Sequence, residues 1–230
     1  MSAASMSGRS GFSSSGHGSQ RSHQSHHSRP HSGSGSGGSG GSRPNGHSSE
    51  QKQFAMQNRE IMRSAEQGRL VPLLEEFCRT KRRLNGVNVA TALHRSAKFR
   101  SGPLPHYLLS YITDQIMTFE GTFEPRSLGS ALYGLQHQED CEATRQVLMA
   151  LAPKIDSCPK PFDAQAVGNA LYGLQRFSDS EAARAILRSL APKISQCSGM
   201  LDAQAIGNAL YGLHRQSDSQ ESRNVLRALF

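Results

Sequence analysis

A gapless 39-residue period constrains this chain more than any other feature. FDAQAVGNALYGLQRFSDSEAARAILRSL, residues 162–190, returns as LDAQAIGNALYGLHRQSDSQESRNVLRAL, residues 201–229. Tyr172 and Tyr211 are one period apart; one step back lands on Tyr133 in FEPRSLGSALYGLQ, and another on His94 in LNGVNVATALHR. Val89, Leu128, Val167 and Ile206 keep the same register, as do Leu93, Leu132, Leu171 and Leu210. A period between 20 and 50 residues is the mark of a repeat architecture, in which each unit buries its apolar face only by stacking on its neighbours.

Each unit reads as two helices. Val167, Ala170, Leu171 and Leu174 fall at i, i+3, i+4 and i+7, one apolar stripe; Ala183, Ile186, Leu187 and Leu190 make the next. Asp163 stands at the N-cap of the first helix, and Phe162 with Val167 at the positions of a hydrophobic staple. Pro125 takes the favoured first helical position of an earlier unit. Ser178-Asp179-Ser180-Glu181 reads as a capping box for the second helix, repeated by Ser217 with Gln220, and Pro192 with the polar linker ends the unit. Gly168 and Gly173 recur as Gly129 and Gly134 and as Gly207 and Gly212. A mid-helix glycine costs about 0.8–1 kcal/mol relative to alanine, so two per helix point to another backbone in close approach.

The expected architecture is all-α: a right-handed α-solenoid of about four 39-residue helix-turn-helix repeats. Residues 84–122, 123–161, 162–200 and 201–230 are the repeats, and 51–83 a degenerate capping pair whose Leu70, Leu73 and Phe77 share the stripe of Leu109, Ile112 and Ile116. Residues 1–50 are Ser, Gly and His with scattered Arg, too poor in apolar groups to offset chain entropy, and read as a disordered tail. A transit peptide, a nucleic-acid-touching arm and a plain soluble linker all fit that composition. His17, His23, His26, His27, His31 and His47 read as solvated rather than as a metal site. The last helix has no polar capping repeat after it, which fits either a short protein with an exposed end or a piece of a longer array.

Charge is unevenly spread. Between Gln51 and Arg100 eleven basic residues face four acidic ones, whereas from Ser101 onward eleven face thirteen. The candidate phosphate grip is therefore Lys81, Arg82 and Arg83 in the cap. Cys78, Cys141, Cys158 and Cys197 have no metal-ligand spacing and read as reduced thiols. With no apolar run of spanning length or secretory core segment, the expected location is intracellular, with mitochondrion, plastid, cytoplasm and nucleus all open.

No nucleophile–base pair, paired carboxylates, phosphate loop or zinc motif stands out from the repeat pattern, so the expectation is a non-enzymatic protein without cofactor, metal or small-molecule substrate. Solenoids bind along the surface made by one helix of every repeat, and polar residues recur there in three rows. Arg126, Gln165 and Gln204 form one, Ser130, Asn169 and Asn208 (with Thr91 in register) a second, and Gln136, Gln175 and His214 a third. An amide both donates and accepts, so such rows suit base edges of single-stranded RNA or the backbone of an extended peptide. The asparagines could equally satisfy backbone groups within the stack.

With these motifs on the page, residues 84–230 resemble octotricopeptide-type repeats of algal and protist organellar RNA-binding proteins. Tyr133, Tyr172 and Tyr211 stand where tryptophan is usual in that family. LNGVNVATALHRSAKF is similar to the opening repeats of alveolate and algal proteins, some of which carry a RAP domain. The NALYGLQ core with its capped second helix also resembles the HEAT-like Ser-Lys-Trp-Pro repeats of plant-pathogen effectors. The first resemblance implies single-stranded RNA as the ligand, in organellar RNA metabolism; the second implies a protein-interaction scaffold.

Overall fold

Local sequence sets where the helices begin. Asp163 accepts a hydrogen bond from the Ala166 amide at 2.7 Å, and Asp202 from Ala205 at the same distance, so the predicted caps open α7 (Ala164–Tyr172) and α9 (Ala203–Leu213). Pro125 is the first residue of α5 (Pro125–Gly134). The second helix of each unit starts differently from the sequence expectation. Ser180 and Ser219, not Ser178 and Ser217, cap α8 (Glu181–Ser195) and α10 (Gln220–Leu229). Ser178 is occupied elsewhere: its amide and hydroxyl both donate to Asp140 of the preceding unit, at 3.0 and 2.5 Å.

Pro192 also departs from expectation. It lies inside α8, as Pro153 lies inside α6 (Glu142–Asp156), and both helices run on for three more residues. The extra turn keeps Ile155 and Ile194 buried, and it lets Lys154 reach the Phe119 carbonyl at 2.8 Å and Lys193 the Cys158 carbonyl at 2.8 Å. Those contacts offset the hydrogen bond a helical proline forfeits.

The computed structural model describes residues 49–99 and 102–230. Among them are ten α-helices, one 3-10 turn at Leu135–His137, and no strand. The remaining helices are α1 (Ser49–Glu66), α2 (Leu70–Arg79), α3 (Gly86–Lys98) and α4 (His106–Thr118). Odd-numbered helices pack in succession, α1 on α3, α3 on α5, α5 on α7 and α7 on α9, and even-numbered helices do the same from α2 to α10. The tail reading and its histidines fall outside the described residues. Among the described residues no helix is long and apolar enough to cross a membrane.

Between the two rows runs one core. Leu93, Leu132 and Leu171 are fully buried, as are Ile112, Leu151, Leu190 and the aromatic rings of Phe77, Phe162 and Phe177. Each such side chain contributes about 1.5–3 kcal/mol by leaving water. At the far end the stripe loses its cover: Leu210 is 43% exposed and Leu226 39%, where Leu171 and Leu187 are at 0%.

The glycines are contact points. A Cβ on Gly129 would lie 2.8 Å from the Ala166 carbonyl oxygen, and one on Gly168 3.0 Å from the Ala205 Cα. Gly134, Gly173 and Gly212 are closer still, against the backbone of Leu93, Leu132 and Leu171 one unit earlier. Of these recurring helix glycines only Gly207, on the uncovered side of α9, has nothing within 4 Å.

Candidate binding face on the odd-numbered helices

Opposite the buried stripe, α3, α5, α7 and α9 each carry a second stripe at i, i+4 and i+7, which a basic residue at i+11 continues. On α7 it reads Gln165, Asn169 and Tyr172, continued by Arg176 in the turn that follows; on α9, Gln204, Asn208 and Tyr211, continued by Arg215. On α5 it is Arg126, Ser130 and Tyr133, continued by His137 in the 3-10 turn, and on α3 Val87, Thr91, His94 and Lys98. At 1.5 Å rise per residue its helical part, from i to i+7, is about 10 Å long. Stacking the helices turns these stripes into four tracks crossing them: two polar, one aromatic and one cationic.

The aromatic track is continuous. Ring centroids of His94 and Tyr133, Tyr133 and Tyr172, and Tyr172 and Tyr211 are each 5.6 Å apart, and the two tyrosine pairs are stacked at 20° and 25°. His214 closes the ladder on Tyr211 at 5.1 Å. Such stacked pairs contribute about 0.5–1.5 kcal/mol each beyond their buried area. Burial, then the neighbouring charges of Arg95 and Lys98, pulls the His94 pKa below its usual value, so the ring that starts the ladder is neutral at pH 7.

The amides and tyrosine hydroxyls of this face are unspent. Tyr107 and Tyr111, outside the ladder, bond through their hydroxyls to Glu75 and to the Arg82 carbonyl, whereas the hydroxyls of Tyr133, Tyr172 and Tyr211 have no partner among the described residues. The side chains of Gln165, Asn169, Gln204, Asn208 and Arg126 likewise have none there. The asparagines therefore do not satisfy backbone groups in the stack; Asn88 does that, donating to the Phe54 carbonyl at 2.9 Å. Gln165, Asn169, Gln204 and Asn208, with His94, Tyr133 and Tyr172, line an open cavity of about 360 Å³.

Charge separates between the two rows of helices. Helices α3, α5, α7 and α9 contain no Asp or Glu, and the cationic track of Lys98, Arg176 and Arg215, with His137 in register, is exposed along its length. On the even-numbered helices four arginines are held in ion pairs: Arg145 with Asp140 at 2.8 Å, Arg184 with Asp179 at 2.6 Å, Arg188 with Glu221 at 2.8 Å and Arg223 with Asp218 at 2.7 Å. Netting charge over the whole repeat region concealed this. Reading one register position at a time, 98, 137, 176 and 215, would have revealed the track.

The other expected site residues sit as follows. Arg126, Gln165 and Gln204, and Ser130, Asn169 and Asn208, are the two polar tracks. Gln136 is buried and accepts from Gln175 at 3.4 Å, and Gln175 also donates to the Tyr172 carbonyl, so this row packs between units instead of facing outward. His214 joins the ladder, its Nδ1 2.6 Å from the Tyr211 carbonyl oxygen. Lys81 is exposed in the α2–α3 connection, but Arg82 pairs with Glu60 and Glu76 and lies over the Phe77 ring, and Arg83 pairs with Glu50. That connection leads into the start of α3, while Lys98 marks its end, so Lys81–Arg83 stand at the opposite end of the face from the cationic track. All four cysteines are unpaired thiols, and no His/Cys/Asp/Glu cluster able to hold a metal occurs among the described residues.

Comparison with protein-family models, with curated proteins and with solved structures returned no match.

Proposed function

We propose that this chain is a non-enzymatic α-solenoid that binds single-stranded RNA across its odd-numbered helices. The observation that carries this reading is a face, free of Asp and Glu along α3, α5, α7 and α9, on which amides and tyrosine hydroxyls without an intramolecular partner recur in step with exposed basic residues, while Arg145, Arg184, Arg188 and Arg223 on the opposite row are held in ion pairs. A strand laid across the helices meets one set of these groups per unit, which is how helical-repeat proteins read single strands. Basic residues along this face supply phosphate attraction even though the region from Ser101 onward is near neutral in sum.

Fluorescence anisotropy of the full chain with labelled random single-stranded RNA, at two salt concentrations, tests it. Binding that weakens with salt is expected, and Arg176→Gln/Arg215→Gln should weaken it more than Lys81→Gln/Arg83→Gln. Flat anisotropy at low salt would refute it.

One observation favours a protein partner elsewhere. Met117 and Met149 are exposed at 58% and 47% beside Ala150 and Pro153 in a groove of about 360 Å³ between α4 and α6. Adaptable methionine surfaces of this kind receive apolar side chains of partners. A pull-down whose partners survive nuclease and are lost with Met117→Glu would support an adaptor role; partners that vanish with nuclease would dismiss it.

A further inference from the structure

We infer that the tyrosine ladder reads the ribose, with phosphates on the cationic track and bases turned toward the asparagine and glutamine tracks; this rests on the RNA reading above. The ladder rings face one another at 5.6 Å, too close for a base to enter between them. Their faces are consumed, and what each ring offers outward is its edge and its hydroxyl. Those hydroxyls are the unpartnered groups, and they lie between two unlike neighbours. Three positions toward the helix start is an amide or hydroxyl residue, about 4.5 Å along the axis; four positions the other way is a basic residue, in the turn that follows the helix for His137, Arg176 and Arg215.

A nucleotide is built in the same order, phosphate, sugar, base. Setting its phosphate against Lys98, Arg176 or Arg215 brings the sugar over a ring edge and the base toward Asn169 or Asn208, with Gln165 and Gln204 beyond. A phenol hydroxyl beside the sugar has one group that distinguishes RNA from DNA, the 2′-hydroxyl, which donates and accepts as the phenol does. The reverse orientation would set phosphates against neutral amides and leave the cations facing bases. It would also place the strand's charge beside Asp163 and Asp202, the carboxylates at the helix starts. The amide tracks, having both donor and acceptor, then supply whatever base preference exists.

The test uses the full chain with a labelled twelve-nucleotide single strand of mixed sequence as RNA and as its 2′-deoxy counterpart, titrated at three salt concentrations. The wild-type chain should favour the RNA. Tyr133→Phe/Tyr172→Phe/Tyr211→Phe keeps the rings and removes only the hydroxyls; the RNA-to-DNA affinity ratio should fall about 2- to 12-fold per hydroxyl engaged, with the salt slope unchanged. Arg176→Gln/Arg215→Gln should keep the ratio and flatten the slope by about 1.4. Asn169→Ala/Asn208→Ala should alter preference among homopolymer RNAs without changing the ratio. A far-UV circular dichroism spectrum matching wild type confirms that each variant is folded.

Equal wild-type affinity for RNA and DNA, or a triple phenylalanine variant that keeps the full RNA preference, would overturn the ribose assignment and leave RNA binding standing. Absence of binding to either strand at low salt would remove both.

Discussion

Gly129, Gly168 and Gly207 occupy one register position in successive odd-numbered helices, yet alanine should have opposite effects at the two ends of the series. Alanine is favoured over glycine in a helix by about 0.8–1 kcal/mol at every such site. At Gly207 nothing lies within 4 Å, so Gly207→Ala should realise that gain in full. At Gly129 the new methyl would sit 2.8 Å from the Ala166 carbonyl oxygen and 3.0 Å from its Cα. It falls about 0.6 Å short of a 3.4 Å contact, and the obstacle is backbone of α7, not the tip of a flexible side chain. Overpacking of this kind costs about 1–3 kcal/mol, and it acts against the same propensity gain. Gly129→Ala should therefore lie about 1–3 kcal/mol below Gly207→Ala, the difference isolating the clash because the propensity change cancels. For a domain of this size 1 kcal/mol moves Tm by about 2–4 °C. Thermal melts followed by far-UV circular dichroism should show Gly207→Ala a few degrees above wild type and Gly129→Ala at or below it. If the two variants melt together, the close approach of α5 and α7 has been misread.

Phe177→Ala, which empties a fully buried ring site, should destabilise the chain by about 3–5 kcal/mol in urea titration, whereas Met200→Ala, at 94% exposure, should leave the midpoint unchanged. Asp163→Ala removes the N-cap of α7 and should cost about 1 kcal/mol in the same titration. Asp140 and Asp179 should make the chain acid-sensitive. Partial burial pushes the Asp140 carboxyl up, but hydrogen bonds from Arg145 and Ser178 outweigh it and bring it down to about 2; Arg184, then Ser217, hold Asp179 at about 2. Both are lowered on folding, so their stabilisation is complete above the ordinary carboxylate value near 4 and is lost as pH falls from there toward 2. Asp140→Asn/Asp179→Asn should melt lower at pH 7, and its Tm should fall less between pH 4 and 2 than that of wild type.

The helical pairs were legible in the sequence because every cue pointed the same way: the stripe of Val167 to Leu174, the cap at Asp163, the proline at Pro125. The glycine spacing likewise announced close packing. What escaped was decided by partners a whole period away. Ser178 matches the capping pattern as well as Ser180 does, and only the carboxylate of Asp140, 38 residues back, takes it out of the running. Pro192 obeys the local rule for a helix end and is overruled by Lys193 and Ile194, whose contacts lie in the preceding unit and in the core. On the candidate face, the amide rows were visible as recurring letters. The cationic track was not, because its members are three different residue types, Lys98, His137, Arg176 and Arg215, and because acids on the other row of helices cancelled them in the sum. Gln136 looked equivalent to the outward residues, yet sits in the 3-10 turn after α5 and is drawn inward.

The aromatic ladder also gives the chain an optical signature. The sequence has no tryptophan and five tyrosines, so its near-ultraviolet absorption and emission come from phenols, and three of the five are ladder rings. Transition dipoles held in a fixed stack couple to one another, so the ladder responds as a unit to anything that shifts its geometry or touches its edge. A strand settling across the odd-numbered helices would register directly in tyrosine emission and near-ultraviolet dichroism, with no label attached, and Tyr107 and Tyr111 on the far side would serve as a steady internal background.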